Sequence, residues 1–291
     1  MTIKDLSTFH KGNRTGVLLI HGLGGTPVEM RTVAKRLNLA GYTVMCCQLA
    51  GHCGTERDLA ATHWQDWYAS VEEALSQLEE HCDTIVAGGL SMGGLLAAKL
   101  AAAEPSRVSG IVILAPTLWY DGWSIPWYAV FLKLLRPYIS LPFLKLWSFA
   151  EREPYGIKDE RVRRIILQAM SSGDSTLAGV LRTPAYALRE LWRLVDALKP
   201  ELPKVRQHAL VIQARNDDIA SIRNVQHLQR KLGGLVETLI LDDSYHLVTV
   251  DQQRHVVNDR VLAFVGAIAK AAKPAVRAAE PIRPQVPIHA A

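Results

Sequence analysis

The sequence predicts an α/β protein: a mostly parallel sheet with helices on both faces, interrupted by one helical cap insertion. Three observations carry this expectation. Between Val17 and Leu114, short β-branched runs alternate with longer helical patterns, as they do when each strand is followed by a crossover helix. The alternation then stops from Ala115 to about Pro203, where aromatic and helical segments are broken by prolines at 126, 137, 142, 154 and 184. It resumes at Ala209, and 291 residues at 49% hydrophobic and 21% charged are enough to bury such a core.

The elements follow in order. Val17-Leu18-Leu19-Ile20 is the first strand, and a glycine-rich turn leads out of it. Thr26-Pro27-Val28-Glu29 reads as a capping box with proline at the first helical position, opening a helix that continues to Ala40 and ends at Gly41. Thr43 to Cys47 is the second strand. Trp64, Trp67, Tyr68, Val71, Ala74, Leu75 and Leu78 recur every three or four residues and so form the buried stripe of a helix. Thr84 to Gly88 is a third strand, Leu95 to Ala103 a small-residue helix and Val108 to Leu114 a fourth strand. No strand is expected in the insertion. Beyond it come a strand at Ala209 to Ile212, a helix around Ser221 to Leu232, a strand at Val236 to Leu241 and a last helix near Gln253 to Ala269. The expected organisation is therefore a first part of the core at residues 1–116, a helical cap insertion at 117–203, a second part of the core at 204–270, and a disordered Ala/Pro/Arg tail at 271–291.

The net charge of +5 does not point to nucleic acid. The last 22 residues, with Lys270, Lys273, Arg277 and Arg283 against Glu280, supply three of those five charges, and no nucleic-acid motif accompanies them. Cys46, Cys47, Cys53 and Cys82 lack metal-ligand spacing and are expected to be reduced thiols. The first residues have neither an apolar h-region nor a cleavage site, so the expected address is the cytoplasm.

Gly89-Leu90-Ser91-Met92-Gly93 is a G-x-S-x-G pattern, which alone arises by chance in roughly one chain in ten of this length. Its context adds weight. A strand precedes it and a helix follows, as a strained nucleophile turn requires, and the two glycines let strand and helix approach closely. An enzyme transferring an acyl group must also hold the oxyanion of its tetrahedral intermediate with aimed N–H groups. Met92 offers one, directly after the serine, and the glycines of His21-Gly22-Leu23-Gly24-Gly25 bring the Leu23 amide within reach of the other position. The lysine and Ser/Thr of a phosphate-binding P-loop are missing. His21, at the strand end beneath the loop, reads as structural.

Ten histidines compete for the role of base. His246 sits in a turn just beyond the late strand Val236 to Leu241, with the final helix still to come. Three aspartates are candidates for its acid partner: Asp217 and its neighbour Asp218, both after the strand starting at Ala209, and Asp121 after an earlier one.

Four segments carry a family resemblance: Leu19-Ile20-His21-Gly22-Leu23-Gly24-Gly25, Gly88-Gly89-Leu90-Ser91-Met92-Gly93-Gly94, Gln213-Ala214-Arg215-Asn216-Asp217 and Asp243-Ser244-Tyr245-His246. Over about two thirds of the chain, the sequence resembles the bacterial carboxylesterase and monoacylglycerol-lipase-like branch of the α/β-hydrolases. The resemblance implies the α/β-hydrolase fold and a Ser-Asp-His triad in that chain order, with Asp217 as the acid and the amides of Leu23 and Met92 as the oxyanion hole. It implies a serine hydrolase of carboxylic esters with a hydrophobic acyl chain, working through an acyl-enzyme on Ser91 without metal or organic cofactor. Dehalogenases and epoxide hydrolases of this fold use an aspartate nucleophile, which Ser91 opposes. Gly51-His52 is similar to a turn of many family members; His52 is read as structural and Cys53 as non-catalytic. The chain departs from the small family esterases in its longer insertion and in Tyr245, where glycine is common.

The substrate stays open at this stage. Aromatic residues crowd the insertion, although the whole chain is only 7% aromatic, and Trp119, Trp123 and Trp127 are candidate walls of an acyl pocket above Ser91. Ile125 to Leu135 has two readings, a buried cap helix or a lid touching a lipid interface, and is too short to span a bilayer. Arg161, Arg163 and Arg164 read as a solvated face, with an anion dock as the alternative. A thioesterase or acyltransferase acting on a carrier-bound acyl chain would use the same triad. A non-catalytic ligand-binding module is the remote alternative, with no reason to keep all these groups together.

Overall fold

Val17 and Leu19 point to one side of a strand and Leu18 and Ile20 to the other, and all four are buried, which requires helices on both faces. The computed structural model describes residues 3–126, 147–150, 152–171, 179–180 and 182–272. In it this run is β2 (Thr15–Ile20), preceded by β1 (Thr8–His10). Then come β3 (Thr43–Cys47), β4 (Thr84–Leu90), β5 (Gly110–Leu114), the short β6 (Ser148–Ala150) and β7 (Arg182–Pro184), β8 (His208–Ala214) and β9 (Val236–Leu241). Seven strands form one sheet in the order β1-β3-β2-β4-β5-β8-β9, parallel except for β1, which pairs antiparallel with the edge of β3.

The helices are α1 (Arg31–Leu39), α2 (Glu56–Ala60), α3 (Trp64–Glu79), α4 (Met92–Ala103), α5 (Glu160–Ser171), α6 (Ala185–Leu198), α7 (Arg223–Lys231) and α8 (Arg254–Ala272). On one face of the sheet, Leu18 and Ile20 join Trp67, Val71 and Leu75 of α3, Leu95 and Leu96 of α4, Leu191 and Leu194 of α6, and Val225 and Leu228 of α7. On the other, Val17 and Leu19 join Val33 and Leu37 of α1 and Val261, Phe264 and Val265 of α8. The packing of α6 places the end of the expected insertion in the core layer.

Several elements differ from expectation. β1 has three residues, all exposed, so no alternation announces it. The pair β6 and β7 lies where no strand was expected; each has three residues, too few for a period to show, and their antiparallel pairing joins distant segments. α4 begins at Met92 instead of Leu95 and is buried on nearly every side, so its helical period is faint. α8 runs to Ala272, past the expected start of the tail at 271; the rest of that tail lies outside the described residues, as does most of the segment Ile125 to Leu135. Among the described residues no helix is long and apolar enough to cross a membrane.

Candidate active site

The parallel strands all deliver their C-terminal ends to one edge of the sheet, where α/β proteins bind ligands. There β4 runs straight into α4 through Ser91, whose φ of 54° and ψ of −117° no L residue adopts without strain. Two glycines make the turn feasible. A Cβ on Gly93 would stand 2.2 Å from the Ile20 carbonyl oxygen and one on Gly89 would stand 2.4 Å from the Gly93 carbonyl carbon, so helix and strands meet closer than any side chain allows. The Ser91 N–H donates to the Leu114 carbonyl at 2.7 Å, pinning the turn to β5. Its hydroxyl lies 2.8 Å from that of buried Thr117, which donates in turn to the Ala115 carbonyl at 3.2 Å.

The loop after β8 carries Asp217 and the loop after β9 carries His246. The imidazole Nδ1 stands 2.8 Å from Asp217 Oδ2 and 3.0 Å from Oδ1, in surroundings where both residues are buried. Asp217 is itself fixed, accepting from the N–H groups of Ile219 and Ala220, each at 2.8 Å, and from Gln213 Nε2 at 2.7 Å. Burial opposes protonation of His246, but the carboxylates of Asp217, Asp218 and Glu29 outweigh it and hold the imidazole above its ordinary value.

Geometry separates the three candidate acids. Asp218 turns away from the ring and accepts backbone N–H groups, from Gly156 at 2.9 Å and from His246 at 3.2 Å, so it anchors the histidine's loop. Burial raises its own pKa. Asp121 binds the N–H and hydroxyl of Ser221 and the Asn224 amide near the start of α7. Asp251, which no sequence signal marked, is fully buried and accepts from the N–H groups of Tyr245, Lys158 and Asp159.

The loop after β2 flanks the serine: a Cβ on Gly22 would lie 3.6 Å from Ser91 Cβ. Beneath it, His21 is fully buried, receives the Leu49 N–H on Nε2 at 3.2 Å and turns Nδ1 to the Gly22 carbonyl at 2.8 Å. Burial, with His52 nearby, lowers its pKa to about 3, so the ring is neutral and structural bonds define its tautomer. His52 is likewise pushed by burial to about 4 and packs edge-on to His21 and Trp67. Among the described residues, neither the Leu23 nor the Met92 amide is spent on a hydrogen bond.

The capping box expected at Thr26 to Glu29 forms by half. Thr26 accepts from the Val28 N–H at 3.3 Å, but the Glu29 carboxylate binds the Gly22 N–H at 2.9 Å instead of returning to Thr26. Glu29 and Thr117 are thus site neighbours that the sequence hid, the first inside a capping signature and the second inside an apolar run.

Of the tryptophans, Trp123 is 58% exposed, donates from Nε1 to the Asn216 carbonyl at 2.9 Å and meets the Tyr245 ring edge-on, which ties it to the loops of both Asp217 and His246. Trp119 packs at the edge of the core against His227, with Lys199 over its ring. Trp127 lies outside the described residues. Arg163 binds the Ile157 carbonyl and pairs with Glu153. Burial raises Cys46 to about 11 and Cys47 and Cys53 to about 12, the mark of inert thiols. Among the described residues, no group of three His, Cys, Asp or Glu side chains is arranged to hold a metal ion.

This geometry has relatives. A family model described as serine aminopeptidase, S33, matches residues 11–253. The chain belongs to that family. A thermostable monoacylglycerol lipase from Bacillus sp. (strain H-257) is 29% identical over 250 residues, 86% of this chain and 89% of the relative. A carboxylesterase from Bacillus subtilis (strain 168) is 25% identical over 257 residues, 88% of this chain and 94% of the relative. A solved structure described under LipS and LipT, two metagenome-derived lipolytic enzymes, superposes with a TM-score of 0.75 at 30% identity, covering 90% of this chain and 97% of that one. The fold is that of the α/β-hydrolases.

Proposed function

We propose that this family member is a serine hydrolase that cleaves carboxylic esters with a hydrophobic acyl chain, using Ser91 as nucleophile, His246 as base and Asp217 as its orienting acid. The observation that supports this most is the buried contact of Asp217 with His246 Nδ1, in a site whose serine occupies a strained turn at the end of β4. The lipolytic and esterase names of the relatives agree with it.

In this mechanism the Ser91 hydroxyl leaves Thr117 and gives its proton to His246 Nε2 as Oγ attacks the ester carbonyl. The Leu23 and Met92 amides, which have no competing acceptor among the described residues, receive the oxyanion. The imidazolium returns its proton to the leaving alcohol. Water, activated by the same nitrogen, then releases the acid from Ser91. Asp217 holds the tautomer and stabilises the imidazolium.

Of the expected insertion 117–203 between the two parts of the core, 1–116 and 204–270, we further read the part ahead of α6 as a cap, with Trp119 and Trp123 walling the acyl pocket and the cap as the face for any lipid interface. The contacts of Trp123 to both triad loops support that placement. The four buried thiols fit a reducing compartment, and we place the enzyme in the cytoplasm. Parallel rates on p-nitrophenyl esters of increasing acyl length and on the matching acyl thioesters test the substrate class: faster turnover of the esters, rising with length, is expected, and a uniform preference for thioesters would overturn it.

A further inference from the structure

Glu29 stands where its capping signature does not put it. Its carboxylate reaches across the loop after β2 to the Gly22 N–H, and the loop is shaped to receive it: a Cβ on Gly25 would fall 2.1 Å from Glu29 Oε1. A Cβ on Gly22 would lie 3.5 Å from Glu29 Oε2 and 3.6 Å from Ser91 Cβ, so carboxylate and serine flank one glycine. The next peptide unit joins the Gly22 carbonyl to the Leu23 amide. That carbonyl accepts from His21 Nδ1 and from the Gly25 N–H, at 2.8 and 3.2 Å. A trans peptide plane is rigid, so fixing the Gly22 carbonyl fixes the opposite direction of the Leu23 N–H. Glu29 holds the preceding peptide, and the two flanking Gly22 are thereby locked from both sides.

The same carboxylate acts on His246. Its charge favours the imidazolium, as do the charges of Asp217 and Asp218 from the loop after β8, and among the described residues the Cys53 thiol from the loop after β3 also feels Glu29. We propose that Glu29 is a positioning residue for the loop that carries the Leu23 amide, its carboxylate anchoring the Gly22 N–H beside Ser91, a role that rests on the triad reading above. Burial raises the Glu29 carboxyl to about 7, although the Gly22 N–H and His246 favour its charge, so its ionisation falls in the working range of such an enzyme.

Two substitutions in the full-length chain separate the two effects, read as kcat and KM on a p-nitrophenyl ester from about pH 5 to 9. Glu29→Gln keeps an oxygen for the Gly22 N–H but removes the charge. It should retain kcat within about fivefold while the acid limb of kcat/KM moves to lower pH by about half a unit or more, because the imidazolium loses a stabilising neighbour. Glu29→Ala removes the anchor as well and should show the same shift with kcat reduced about tenfold or more at little-changed KM. An unmoved acid limb in Glu29→Gln overturns the influence on His246, and unchanged kcat in Glu29→Ala overturns the positional role; if the alanine variant does not fold, Glu29→Met, which keeps the bulk but offers the Gly22 N–H no acceptor, takes its place with the same expectation. Fluorophosphonate labelling of each protein is the control. Labelling away from Ser91 in the wild type would topple the triad and this role with it, whereas labelling at Ser91 with unaltered Glu29 variants overturns this role alone.

Discussion

Asp217→Asn replaces one carboxylate oxygen by an NH2 group without changing shape. Oδ1 accepts the Ile219 and Ala220 N–H groups, which holds the remaining oxygen of the amide to that side and points its nitrogen at Gln213 Nε2 and at His246 Nδ1. Two donors then face each other at Gln213, costing about 1–3 kcal/mol of stability for a buried mismatch. At the histidine the only favourable response is to shift the proton to Nε2, so that Nδ1 accepts from the amide. The ring then presents a donor to Ser91 and cannot act as its base. Loss of the base by this tautomer change lowers kcat by about 10³–10⁴, or ~4–5.5 kcal/mol of barrier. Asp218→Asn is the matched control. It weakens one of two backbone contacts, to Gly156 or His246, and should cost about 1–2 kcal/mol of stability with kcat within about tenfold of wild type. Steady-state kinetics on a p-nitrophenyl ester with thermal melts of both variants provide the assay. A mild Asp217→Asn beside a crippled Asp218→Asn would show that the neighbouring carboxylate orients the base.

If His246 is the base proposed above, it must be neutral to accept the serine proton, and with its pKa held above the ordinary 6.5, kcat/KM should rise with pH through a midpoint above that value; a midpoint below about 6 contradicts the charge environment described. Gly93→Ala forces a methyl to within 2.2 Å of the Ile20 carbonyl oxygen, so melting temperature and turnover should fall together, at a cost of about 1–3 kcal/mol or more, and wild-type values for both would refute the close approach. If tryptophans wall an acyl pocket, kcat/KM should grow by about one to two orders of magnitude from acetate to hexanoate esters, at no more than ~0.8 kcal/mol per methylene. Trp123→Ala should flatten that dependence; an enzyme that prefers acetate would remove the pocket.

The sheet was legible because each central strand is a short apolar run bounded by turn residues, and Val17 to Ile20 or Ala209 to Ile212 need no tertiary information to be seen. The three-residue β1, β6 and β7 were not, since pairing with a distant partner defines them and no local period can. In the proposed site, the glycines its turn requires pointed to Ser91, and the place after the last strand pointed to His246. Choosing between Asp217 and Asp218 needed side-chain direction, which two adjacent aspartates do not encode in their order; the family resemblance pointed to Asp217, and the geometry puts that residue on the imidazole. Glu29 was visible but misassigned, because a Thr-x-x-Glu pattern predicts a local bond and a glycine loop seven residues earlier competed for the carboxylate. Thr117 and Asp251 carry no motif at all; their roles come from where the chain folds back upon itself.

The identity of the nucleophile is the claim on which the rest depends. Incubation of the wild-type protein with a fluorophosphonate probe, followed by peptide mapping, should place a single adduct on Ser91, because the proposed mechanism has His246 activate the hydroxyl that the strained turn presents. Ser91→Ala should abolish labelling and reduce turnover by about 10³-fold or more while leaving the melting temperature near that of the wild type. An adduct on any other residue, or persistent labelling and turnover in Ser91→Ala, would contradict the account.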